Sequence, residues 1–156
     1  MFDSPGRLSE QIRALLAAVR DAAGGRFCCL LTRTGLLFES PDAEGQAVLR
    51  LKRLLEERCQ ELFDLPRAMA GGGPARDLFD GWDDDELWLG FINGRVVLVV
   101  ACPAAEGLDA RIRDALTALV DRLFRYDETL RMDERGRGFF FSRPRLETVV
   151  VTRARG

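Results

Sequence analysis

The stretch from Glu86 to Cys102 constrains the fold more than any other part of the sequence. Asn93-Gly94 lies at its middle, and both residue types tolerate the positive φ that a two-residue hairpin turn requires. Such a turn predicts a register: Ile92 opposite Arg95, Phe91 opposite Val96, Gly90 opposite Val97, Leu89 opposite Leu98, Trp88 opposite Val99, and Leu87 opposite Val100. One face then carries Leu87, Leu89, Phe91, Val96, Leu98 and Val100, and the other Trp88, Ile92, Val97, Val99 and Ala101. An antiparallel sheet with one wet face alternates polar and apolar residues. This hairpin does not, so it must be covered on both sides, which predicts an α+β fold of three layers.

The rest of the chain supplies the covers. Leu8, Ile12, Leu15, Leu16 and Val19 recur at helical spacing within a helix expected from Arg7 to Ala23, and Gly24-Gly25 offers its stop. Two short apolar runs, Phe27 to Leu31 and Leu36 to Phe38, flank a turn closed by Gly35 and read as a second hairpin. Ser40-Pro41 reads as the cap and first turn of a second helix, ending at Leu65-Pro66. Its inner side is Val48, Leu51, Leu54, Leu55, Cys59 and Leu62, with Arg50, Arg53, Glu56, Glu57 and Glu61 mainly opposite. Residues 67–74, closing in Gly71-Gly72-Gly73-Pro74, read as a linker. Arg76 to Trp82 reads as a further strand, followed by an acidic turn, Asp83-Asp84-Asp85. A third helix is expected from Leu108 to Tyr126.

Chemistry is harder to assemble. The chain of 156 residues has no histidine, which removes Ser–His–Asp and Cys–His nucleophile pairs. Its four cysteines, at 28, 29, 59 and 102, show no C-x-x-C spacing, so buried free thiols are expected in place of a zinc site or a disulfide framework. Cys28 and Cys29 on one strand would face opposite sides of the sheet. Adjacent carboxylates at 83–86 point apart on a wet turn and lack calcium-loop spacing. The glycine run at 71–73 is followed by proline and fits no phosphate-binding loop. These readings predict no catalytic residues, no cofactor and no metal. A net charge of −2 gives no field for nucleic acid, and no apolar run is long enough for a membrane. Met1 to Arg7 lacks the pattern of a signal peptide, so a cytoplasmic location is expected.

The order α–β–β–α–β–β–β–α resembles the roadblock/dynein light chain 7 family. The resemblance rests on Gly25-Arg26-Phe27-Cys28-Cys29-Leu30-Leu31-Thr32-Arg33-Thr34-Gly35-Leu36-Leu37 and on Gly94-Arg95-Val96-Val97-Leu98-Val99-Val100, and it covers roughly residues 7–125. Arg33 and Thr34 stand where the family often carries an acidic residue. The resemblance implies a five-stranded antiparallel sheet with one helix on one face and two on the other. It also implies homodimers joined through sheet edges, and regulation or scaffolding of small Ras-like GTPases, as in bacterial polarity and gliding-motility regulators. Two other classes share parts of the pattern: dimeric secretion chaperones, which place three strands between their first two helices, and small-ligand sensory domains.

Residues 1–126 are accordingly expected to form a roadblock-like domain, and 127–156 a C-terminal extension. That extension holds Phe139-Phe140-Phe141 and Leu146 to Val151, too apolar for plain disorder. Candidate dimer or partner contacts are Leu78, Phe79 and Trp82 near a sheet edge, together with Phe139 and Phe141 in the tail. The expected partners are a second copy of the chain and a small GTPase.

Overall fold

The hairpin that dominates the sequence is also the centre of the molecule. The computed structural model describes residues 5–41, 45–68, 86–92, 95–102, 108–133 and 146–151. Its elements are α1 (Pro5–Ala22), β1 (Phe27–Thr32), β2 (Gly35–Glu39), α2 (Gln46–Ala68), β3 (Glu86–Ile92), β4 (Val96–Cys102), α3 (Leu108–Asp133) and β5 (Leu146–Val151). The chain is α+β with an antiparallel sheet. Strands β2-β1-β4-β3 lie side by side, and β5 pairs along the far side of β3.

Two apolar clusters sit on opposite faces of this sheet. Val48, Leu51, Leu55, Leu62 and Phe63 of α2 pack with Phe27, Cys29, Leu31, Leu87, Leu89, Phe91, Val97, Val99 and Ala101. Ile12, Leu16 and Val19 of α1, with Ile112, Leu116, Leu119 and Leu123 of α3, pack with Cys28, Leu30, Trp88, Ile92, Val96, Leu98, Val100 and Cys102. Each fully buried leucine contributes about 1.5–3 kcal/mol of transfer free energy, so both clusters hold the sheet firmly.

The register of the central hairpin corrects the one expected from Asn93-Gly94. Ile92 pairs with Val96, Phe91 with Val97, Gly90 with Leu98, Leu89 with Val99, Trp88 with Val100 and Leu87 with Ala101. The connection spans residues 93–95, and the Arg95 N–H donates to the Ile92 carbonyl at 3.0 Å. A slip of one residue moves every β4 side chain to the other face. Here the slip exchanges one apolar set for another, because all seven residues of β4 are buried. The hydrophobic pattern therefore cannot select between the two registers, and the turn does.

Helix boundaries differ from expectation for identifiable reasons. Ser40 does not cap α2. Its hydroxyl accepts the Cys28 N–H at 3.2 Å, and its own N–H donates to the Cys28 carbonyl at 2.7 Å, so it finishes the first hairpin. α2 instead begins after Gly45 (φ 112°), whose carbonyl accepts the Leu49 N–H at 3.1 Å, and it runs through Pro66 to Ala68. A proline this near the C-terminus removes only one late helical bond. α3 runs on to Asp133, seven residues past Tyr126, because no glycine or proline occurs before Gly136.

α1 ends as its glycines indicate. Gly24 (φ 66°) follows the helix, the Gly25 N–H reaches the Arg20 carbonyl at 2.8 Å, and the Gly24 N–H reaches the Asp21 carbonyl at 3.1 Å. That pair of bonds is a Schellman motif. Gly25 is also required sterically, since a Cβ there would clash with the Ala101 carbonyl oxygen at the end of β4.

The strand expected at Arg76 to Trp82 lies outside the described residues. The position beside β3 is occupied by β5, from the segment read as an extension.

Candidate protein-interaction surface

The sequence-predicted contact residues Leu78, Phe79, Trp82, Phe139 and Phe141 all lie outside the described residues, as do the carboxylates Asp83, Asp84 and Asp85. The thiols are described. Cys28 and Cys29 are fully buried on opposite faces, Cys28 among α1 and α3 side chains and Cys29 against α2. Burial raises both thiol pKa values far above the ordinary value. Arg20 pulls slightly downward at Cys28. Cys28 and Glu39 push further up at Cys29, while Lys52 pulls down. A thiol held protonated in an apolar site is not a nucleophile at neutral pH. Among the described residues, no group of three or more metal-ligating side chains converges, and no helix is long and apolar enough to cross a membrane.

The surface that stands out is the outward side of α2. Gln46, Leu49, Arg50, Arg53, Glu56, Glu57, Gln60, Glu61 and Asp64 are exposed at helical spacing and form one continuous stripe. Leu49 is 56% exposed, the one large apolar side chain so placed among the described residues.

The charges of this stripe are ordered along the helix, bases before acids. Over the part of α2 whose side chains are described, Arg50 and Arg53 precede Glu56, Glu57, Glu61 and Asp64, with Arg58 the exception. α2 has no acid in its first turn, and helix-dipole effects fall off within the first and last turns, so the order of these inner charges costs the helix little.

Polar contacts to the first hairpin fix this helix at both ends. Near its start, Lys52 Nζ lies 2.7 Å from Glu39 Oε2 at the end of β2. Near its end, the Arg33 guanidinium stacks over the Phe63 ring at 5.2 Å and approaches Asp64 at 4.0 Å. The Cys59 thiol donates to the Arg33 carbonyl at 3.4 Å. The stripe thus rides on a helix held at two separated points. Sequence reading placed its charges opposite the apolar side, but their order along the helix, bases before acids, lies outside hydrophobic periodicity.

No protein-family model, no curated protein and no solved structure matches the chain.

Proposed function

We propose that the chain is a non-enzymatic, homodimeric interaction module, and that two copies meet through the outward stripes of α2. The observation that carries this reading is the self-complementary charge order of that stripe. An antiparallel pair of α2 helices related by a two-fold axis near Leu55 sets Arg53 of one copy against Glu57 of the other, and the symmetry repeats the contact. Leu49 then adds apolar area near each end of the pair. Light scattering after size exclusion is expected to give about twice the 17.5 kDa chain mass, and a clean monomer at micromolar concentration would remove the dimer.

In this reading the dimer binds or regulates a small Ras-like GTPase, as the roadblock resemblance implies, and does so in a three-layer, five-stranded roadblock-like fold. A single hairpin lies between α1 and α2, which favours this over the secretion-chaperone pattern of three strands. The module itself is expected to neither bind nor hydrolyse GTP or ATP. Calorimetry with nucleotide and magnesium tests this, and a dissociation constant below about 10 μM would overturn it. Native co-purification with mass spectrometry tests the partner: a Ras-like GTPase is expected, and its consistent absence would remove that half of the proposal.

A further inference from the structure

Each copy of the chain closes its own interior. Both apolar clusters, one beneath α2 and one beneath α1 and α3, are built from residues of a single chain. Their large members, among them Leu16, Leu30, Leu51, Leu55, Trp88 and Phe91, are shielded from water with no second copy present. An obligate dimer is built otherwise. Part of its core lies in the interface, and no stable folded monomer remains when the copies part. An interior complete in one copy needs no second copy to fold.

What the α2 stripe offers a second copy is of another kind. Among the described residues, Leu49 is the one large apolar side chain left exposed, so parting two stripes returns little apolar surface to water. The other contacts are charged and lie on a solvated helix face. Arg58 is engaged with Glu61 of its own helix at 3.4 Å. Among the described residues, no ion pair engages Arg53 or Glu57 within the chain, so both are available to a second copy. Exposed ion pairs are individually weak, and salt screens them. The screening length falls from about 8 Å at physiological salt to about 3 Å at 1 M.

We infer, on the pairing proposed above, that association through α2 is a reversible step between folded states, controlled by ionic strength. The copies pair at low salt and part as intact monomers at high salt. Charge holds the interface, with one exposed leucine per copy, and folding takes no share in it. Assembly can therefore be made and undone without exposing either apolar cluster.

Sedimentation velocity of the full-length protein over a concentration series, in about 0.05 M and about 1 M sodium chloride, tests this. The dissociation constant is expected to rise about tenfold or more between the two, as loss of two symmetry-related Arg53–Glu57 contacts requires. Helical circular dichroism should be the same in both. In the higher salt, the denaturant midpoint should stay constant over about a hundredfold range of protein concentration. The double variant Arg53→Gln, Glu57→Gln should associate weakly at both salt concentrations and lose most of the salt dependence. The unmodified protein alone decides the matter, so a misfolded variant leaves it testable. A dimer equally tight at both salt concentrations, loss of helical signal on dissociation, or a midpoint that climbs with protein concentration in high salt would overturn this inference and leave the α2 pairing standing. A monomer at both salt concentrations would overturn the pairing itself, and the inference with it.

Discussion

The two faces of the sheet are covered in different ways. On one, α1 and α3 pack against each other as well as against the strands, and the second rank of side chains continues outward. The Phe38 and Tyr126 rings meet edge to face at 5.3 Å, and the Arg13 guanidinium lies over Phe38 at 5.5 Å. On the other face, α2 has no helical neighbour among the described residues, and its outer stripe carries an exposed leucine and charges that run from basic to acidic along it. The inner halves are alike: fully buried, apolar and dense. The first face is covered by two packed helices, and the second presents an equally finished interior beneath a single helix with an exposed, charged outer side.

The largest effect that probes this comparison comes from matched core truncations. Leu16→Ala beneath α1 and Leu55→Ala beneath α2 both remove fully buried leucines. Each is expected to cost about 2–5 kcal/mol in denaturant unfolding. A loss under about 1 kcal/mol at Leu55 alone would show that α2 is not seated as described.

The thiols compare the faces a second way. Cys28 and Cys29 are held protonated by burial, and an unfolded chain ionises them near the ordinary value of about 9. Because the folded values are raised, stability is complete below about pH 9 and declines as pH rises beyond it. Each such thiol removes up to about 1.4 kcal/mol per pH unit in that window. Replacing either by alanine should flatten the alkaline decline. Under native conditions, thiol labelling at both positions should track global unfolding. Faster labelling of Cys29 alone would mean that α2 lifts while α1 and α3 stay closed.

Ser40→Ala is expected to cost about 1–2 kcal/mol, because it leaves the buried Cys28 N–H without its acceptor. The same substitution at a mere helix cap would change helix content, and here circular dichroism should stay the same. Leu49→Ser is the smallest in stability, within about 0.5 kcal/mol for an exposed position. It should nonetheless weaken self-association measurably by sedimentation, whereas a substitution at exposed Arg125 on α3 should leave association unchanged.

Much of this architecture was legible in the sequence, for one reason: apolar residues on both faces of a hairpin leave few arrangements open. The inner stripes of α1, α2 and α3 followed from helical spacing, and the opposed placement of Cys28 and Cys29 from strand alternation. What was not legible follows from degeneracy. The register of β3 and β4 was unreadable because Val96 to Cys102 is apolar throughout, so a slip carries no penalty that a pattern can show. Ser40-Pro41 misled because one hydroxyl suits a helix cap and a hairpin end equally, and only the position of the Cys28 amide decides. The α2 stripe was visible as charged residues, yet whether their order complements a second copy depends on how two such helices are set against each other. The contacts expected at Leu78, Phe79, Trp82, Phe139 and Phe141 fall outside the described residues.

Self-association through α2 is tested most directly by reciprocal charge reversal. Arg53→Glu sets glutamate against Glu57 of the second copy twice over, and Glu57→Arg sets arginine against Arg53 in the same way. Each variant alone should run as a monomer in light scattering, with unchanged helical circular dichroism. Mixed in equal amounts they restore opposite charges at both contacts, and the mixture should return to about twice the 17.5 kDa chain mass. Either variant remaining fully dimeric on its own, or a mixture that stays monomeric, would contradict the pairing.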